Sequence, residues 1–525
     1  LAAGDQASAI YAAEDALKHY AQVLQIMPRI NVDSQTLRQL YTNRGHMFEV
    51  LSRFDEAMAT YEALATLAEQ RRDQRLEMTS VLARGALMVN LTPFLNQEKG
   101  RQFVEKGLEL ARDLGDQQAE VKALRGMLQY YLTSFRDYDE AIVVGQTTLS
   151  LARELNWTDQ EAYITHDLLF LYLRSGALPQ AQISEVQAQT LWHQLGNLSM
   201  RASTLQKSSR VHYHLGEFDQ STTLSREALE LARISKNIWW EPAIIAEAAH
   251  NYWALGEYDA AFRHLGEATQ IIKKNGLPDI QISYLTYWQL QFVVDLGLVE
   301  PGWALVDSLT VKRLDHPFFP FPIEDMLAVF RANLHLLDGD LAAARQLYQT
   351  IPDELRQFRT VDLSYYETPL FLAHLTLGLG DYDQAIFLAD KLMTLHKTGG
   401  VRTTLPDACY IKGQALMATG EIDAARQTLI QAKVEAKALR ARRIGWKILA
   451  ILADLEAQLG NETAAAALRQ EARTTLDYII DHIPKGELRT SFMTRPEVNR
   501  LLLEGHRPGS PDKNEGSAGE GTQPR

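Results

Sequence analysis

The stretch HLGEFDQS (His214–Ser221) returns forty residues later as ALGEYDAA (Ala254–Ala261), and this recurrence of Leu-Gly-Glu-aromatic-Asp decides how the chain is read. The same corner recurs as SRFDEA at Phe54, RDYDEA at Tyr138, GALPQA at Leu178 and GLVEPG at Val299. It continues as GDLAAA at Leu341, GDYDQA at Tyr382, GEIDAA at Ile422 and GNETAA at Glu462. From Tyr138 onward the steps are 40 to 42 residues, and the wider gap before it holds one degenerate copy near FLNQEKG, which makes eleven units. Self-similarity at such a period marks stacked repeats rather than several globular domains.

Each unit has one grammar. About sixteen residues of helix-period apolar pattern lead to the corner, and a second helical pattern follows. In the unit after Phe218, Leu224, Ala228, Leu231 and Ala232 form a stripe that a single helix cannot bury alone. The corner glycine permits a tight turn, and the Asp after the aromatic is expected to cap the next helix. Nothing strand-like interrupts this, so the expected fold is all-α: a right-handed α-solenoid of stacked antiparallel helix pairs.

Composition agrees. Hydrophobic residues make up 46% and charged residues 23% of 525, a usage suited to a large helical protein. The net charge of −13 disfavours nucleic acid or an anionic membrane as main partner. A single cysteine, Cys409, excludes a disulfide framework within the chain and fits a reducing cytoplasm. No apolar run approaches the roughly 18–20 residues that span a bilayer.

The corner, with small residues such as Gly45, Ala249, Ala332, Ala373 and Gly413 upstream, resembles the tetratricopeptide repeat. The units exceed that family's usual length of about 34 residues. Endings such as GLELARDLGD and TLSLARELNW resemble the sensor arrays of bacterial signal-transduction ATPases, which include maltotriose-responsive activators and ATPases fused to cyclase or Ser/Thr kinase domains. The opening AIYAAEDALKHYAQVL is similar to the first helix of such arrays, and IIDHIPKGELRTSFMTRPEVNRLL is similar to their closing signature. The resemblance implies a cytoplasmic, non-catalytic array that binds a protein or peptide partner, or a small-molecule inducer. It also implies an ATPase and output module upstream in cis and room for self-association. The expected layout is a leading helix at 1–28, repeats over 29–482, a cap over 483–506 and a disordered tail at 507–525. Leu488, Phe492, Met493, Val498 and Leu501 are expected to close the last apolar stripe.

No phosphate-binding loop, His-Glu-x-x-His, Gly-x-Ser-x-Gly or Gly-x-Gly-x-x-Gly occurs, so no catalytic residue, cofactor or metal site is assigned. The first helices are expected to line a concave face carrying Tyr163, His166, Arg174, Gln206, Arg210, Tyr213, His214, His250, Trp253, Tyr284, Tyr287 and Gln291. Aromatic area with Arg and His donors suits an oligosaccharide, a nucleotide-like ligand or a peptide. The alternative is that these aromatics fill the gaps left by long units, with the histidines as satisfied polar residues. Two further segments stand out. The run VKRLDHPFFPFPIEDM (Val311–Met326) is either an exposed docking loop or a strap over the solenoid edge, and the basic run KVEAKALRARR (Lys433–Arg443) suits a helix C-terminus. A passive scaffold, holding a partner's peptide or helix without switching, is the rival to a sensor.

Overall fold

The computed structural model describes residues 1–525 except 10–12, 28–31, 52, 91, 135–136, 236–237, 239, 278, 311–322, 359–360, 364–366 and 504–525. The proline-rich run after Val311 and the tail from 507 therefore lie outside the described residues, apart from Ile323–Met326.

Two short helices, α1 (Ala2–Ala9) and α2 (Ala13–Ile26), precede the first pair. The pairs are α3 (Ser34–Val50) with α4 (Phe54–Arg71), α5 (Gln74–Val89) with α6 (Gln97–Asp113), and α7 (Gln117–Ser134) with α8 (Tyr138–Glu154). Then come α9 (Thr158–Arg174) with α10 (Leu178–Leu195), α11 (Leu198–His214) with α12 (Phe218–Ile234), and α13 (Trp240–Leu255) with α14 (Tyr258–Asn275). Next are α15 (Asp279–Asp295) with α16 (Val299–Thr310) and α17 (Ile323–Leu337) with α18 (Leu341–Thr350), followed by the single turn α19 (Asp353–Arg356). The last pairs are α20 (Glu367–Gly378) with α21 (Tyr382–Gly399), α22 (Leu405–Ala418) with α23 (Ile422–Ala438), and α24 (Arg442–Gln458) with α25 (Glu462–Asp481). The short helices α26 (Glu487–Thr494) and α27 (Pro496–Leu503) end the array. Among the described residues this is a right-handed α-solenoid of eleven antiparallel pairs without strands, and the degenerate copy is the corner before α6. The leading segment, expected as one helix, is instead two that meet where the Tyr20 hydroxyl donates to Asp5 at 2.9 Å.

Glycines 176, 216, 256, 297, 339, 380, 420 and 460 all hold φ between 70° and 87°, a left-handed turn that a Cβ would strain. The Asp after the aromatic does not cap, contrary to expectation. The helix already starts at the aromatic, so Asp219 and Asp259 sit inside the first turn, where a negative charge favours the macrodipole. A capping bond forms at two corners where the residue before is itself Asp, Asp340 accepting from Ala343 N (3.0 Å) and Asp381 from Gln384 N (3.3 Å), whereas Asp137, held in a left-handed conformation, makes none. The Leu-Ala-Arg endings have a mechanical role. Arg112 bonds Glu120 (2.8 Å), Arg153 bonds Glu161 (2.7 Å) and Arg233 bonds Glu241 (2.7 Å), each tying a second helix to the next unit's first. The stripe of Leu224, Ala228 and Ala232 is buried with Ala202, Leu205 and Ile244 of the flanking first helices.

The superhelix closes on itself. A Cβ on Gly399 would fall 1.9 Å from the Gly176 carbonyl oxygen, one on Gly216 would fall 2.2 Å from Leu439, and one on Gly256 would fall 3.1 Å from Ile479. Both partners advance by one forty-residue unit together, so each corner abuts the end of a second helix between five and six units later. At the far end Phe492, Val498 and Leu501 are buried and Leu488 packs against the core, whereas Met493 remains 41% exposed.

Candidate functional site

Positions 167, 207 and 247 share one register in three consecutive first helices, and they carry Asp, Lys and Glu. Lys207 attracts both carboxylates, lies over the rings of Phe170 (4.9 Å) and Trp240 (5.0 Å), and donates to Ser203 at 3.3 Å. Burial pushes its ammonium down to about 8 against the pull of Glu247 and Asp167. Arg125 bonds Asp167 at 3.2 Å and stacks over Tyr163 at 4.3 Å. On the other side, Glu247 Oε1 accepts from Gln206 (2.9 Å) and Arg210 (3.4 Å). The result is a ladder of alternating charge along the inner face of α7, α9, α11 and α13. Glu247 Oε2 and Gln206 Oε1 are buried without a partner among the described residues. Buried acceptors of this kind call for a water or a ligand donor.

The sequence places twelve side chains on an accessible concave face; the structure buries all but Tyr163, Arg210 and Tyr284, which are half-buried. His166 bonds Thr204 at 2.8 Å. Tyr213 packs against His214, Phe218 and His250. His250 is enclosed by Trp288 (4.4 Å) and Phe292 (5.6 Å) and faces Glu367 at 3.6 Å, and burial pushes its imidazole down to about 3. Tyr284 stacks obliquely on Trp288 at 4.3 Å, Tyr287 pairs with Thr368 at 2.5 Å, and Gln291 is fully buried near them. The chain's own C-terminal half supplies much of the cover.

Two polar clasps hold Arg174 and Trp253 within this cover. Arg174 donates to Asp362 Oδ2 from Nη2 (2.7 Å) and Nε (3.2 Å), and the Tyr138 hydroxyl donates to the same oxygen at 2.7 Å. Asp295 accepts from Trp253 Nε1 (3.2 Å), Tyr258 (2.6 Å), Arg443 (3.2 Å) and Lys447 (3.4 Å). Arg443 also bonds Asp407 at 2.6 Å and lies over Trp253 at 4.3 Å. Burial opposes ionisation of Asp295, but Lys447, Arg443 and the Tyr258 hydroxyl outweigh it and hold the carboxyl well below its usual range. The basic run is consumed within the chain: Arg440 pairs with Asp219 across the turns, while Lys433 pairs with Glu471 and Arg442 covers Tyr478, tying α23 and α24 to α25.

The sequence patterns do not single out Asp167, Lys207, Glu247, Asp295, Asp362 and Asp407, because charged side chains on helices are ordinarily solvated. The available signal was charge at a helix position whose neighbours are apolar, as in Val294-Asp295-Leu296.

A model of the MalT-like TPR region matches residues 119–458. The chain belongs to that family. The match runs from α7 to the end of α24, so it takes in the charge ladder and both clasps of this MalT-like array. Among solved structures, the array is similar to a Rap protein complexed with Competence and Sporulation Factor, at 13% identity and TM-score 0.48 over 76% of this chain and 96% of that one. It is similar to yeast Tom70 at 14% identity and TM-score 0.33, over 96% and 94%. It is also similar to the APC/C hetero-tetramer Cut9-Hcn1 at 12% and 0.37, over 95% of each. No curated protein matches the chain. Among the described residues no helix is long and apolar enough to cross a membrane, and no group of three or more ligating side chains could hold a metal.

Proposed function

We propose that this MalT-like array is the non-catalytic sensor region of a cytoplasmic signal-transduction ATPase, reading a partner protein, peptide or small-molecule inducer at its inner face. The family match over α7–α24 is the observation that carries the reading. A sensor needs two states with different affinity for its ligand. The seam between superhelical turns suits that need, because its clasps are polar, and polar contacts between packed units part at less cost than an apolar core. In the closed state Arg174, Arg210, His250 and Trp253 meet residues of the later turn, and parting of the turns would return them to a ligand. The unpartnered acceptors Glu247 Oε2 and Gln206 Oε1 mark where that ligand would donate.

Small-angle scattering of the chain with titrated inducers or partner peptides tests this. A sensor changes its radius of gyration on saturation, and the Glu247→Ala variant loses that response. A passive scaffold binds with the radius unchanged, and that outcome would replace the sensor reading.

A further inference from the structure

Between α19 and α20 the chain runs through Val361, Asp362 and Leu363, and these residues lie along the inner face in the manner of a bound peptide. Leu363 N donates to the Arg174 carbonyl oxygen at 2.9 Å, and the Leu363 carbonyl accepts from Arg210 Nη2 at 3.1 Å. The Asp362 carboxylate fills a pocket made by the Arg174 guanidinium and the Tyr138 hydroxyl, both in the matched family region or its adjoining corner. Leu363 is fully buried, and Val361 packs over Gly176, where a Cβ would meet its Cγ1 at 3.7 Å. Main-chain bonds in both directions, a carboxylate on a buried arginine and an aliphatic anchor are together the ingredients of peptide recognition in a groove. Here they are met by a segment that comes 188 residues after its arginine in the same chain.

We infer that Val361–Leu363 is a built-in ligand, and that the array's partner is a peptide presenting a carboxylate followed immediately by a large aliphatic side chain. Without Asp362 the Arg174 guanidinium, 1% exposed, would be a buried cation that has lost its carboxylate, so an incoming chain must bring its own. The inference rests on the reading of the inner face as the recognition surface and adds the class of ligand. Displacement of Asp362 by a competing carboxylate also breaks one of the clasps between turns, which links occupancy to opening.

The test uses the whole chain and a labelled peptide with the sequence of residues 359–365, RTVDLSY, beside its Asp→Asn counterpart. In Asp362→Ala/Leu363→Ala the site is vacated, and the Asp peptide is expected to bind at least tenfold more tightly than to the unmodified chain. The Asn peptide should lose at least tenfold, and adding Arg174→Ala should abolish binding. A folded variant that binds neither peptide, or both equally, overturns the inference. Should the double variant fail to fold, hydrogen exchange of the unmodified chain decides: saturating Asp peptide must accelerate exchange at Val361–Leu363, and unchanged exchange overturns it. The scattering response to an inducer is independent of this peptide, so loss of one reading is distinguishable from loss of the other.

Discussion

Arg443 reaches across 148 residues of sequence to Asp295 at 3.2 Å while its other terminal nitrogen bonds Asp407 at 2.6 Å, so one guanidinium joins α15, α22 and α24. Removing it strands Asp407, which is almost wholly buried, and leaves Asp295 to Lys447, Tyr258 and Trp253. Arg443→Ala should cost about 3–5 kcal/mol, the range for breaking a buried ion pair from one side. Arg443→Lys should recover little, because an ammonium lacks the fork that spans both acids. Urea unfolding of the two variants checks this.

The repeat count and the corners were legible because they depend on local chemistry: a left-handed glycine every forty residues and an apolar stripe that needs a neighbour. The closure was not. It depends on the small rotation between successive units accumulated over five or six of them, and no motif encodes that sum. Arg174 and Trp253 were therefore placed correctly on first helices, yet read as free to meet a ligand when Asp362 and Asp295 already hold them. The capping Asp was misplaced by one residue for a local reason, since the helix begins at the aromatic rather than after it.

Gly399 offers a reversal of sign. It ends α21 without a left-handed φ, so helix propensity alone says Gly399→Ala should stabilise by about 0.5–1 kcal/mol. The Gly176 carbonyl oxygen occupies the space a Cβ needs, so the substitution should instead destabilise by about 1–3 kcal/mol. Gly266→Ala in α14, where nothing lies within 4 Å, should stabilise as propensity dictates. Equal effects at both sites in thermal melts would remove the contact between turns.

Acid should loosen the array. Burial pushes His250 and His374 down to about 3, and burial also holds His166 and His214 well below the usual imidazole range. An unfolded imidazole titrates near about 6.5, so between that value and 3 the unfolded chain binds protons that the fold refuses. Stability is then full above about pH 6.5 and falls with pH, by up to about 2 kcal/mol per imidazole at pH 5. His212 acts in the opposite sense: burial opposes its charge, but Glu185 and Glu217 raise its pKa, so its contribution is present in acid and fades as pH rises. Urea unfolding at pH 7.5 and pH 5 should show the net loss, and His250→Gln should reduce it. Equal stability at the two values would count against the buried neutral histidines.

Cys409 is fully buried and its thiol is pushed up to about 12, so little thiolate exists at neutral pH. Iodoacetamide at pH 8 should leave it unmodified in the folded chain and label it in urea; labelling at equal rates would contradict the packing around α22.

The closed superhelix is tested most directly by the distance between Asp219 and Arg440, exposed residues that meet at 2.8 Å across the seam although 221 residues separate them. Spin labels at both positions, in a Cys409→Ser background, should give one narrow population at short distance in double electron–electron resonance. An array that did not close would set them more than about 40 Å apart, because five units stack at about 8–10 Å per helix layer. A broad distribution centred at that length would contradict the closure.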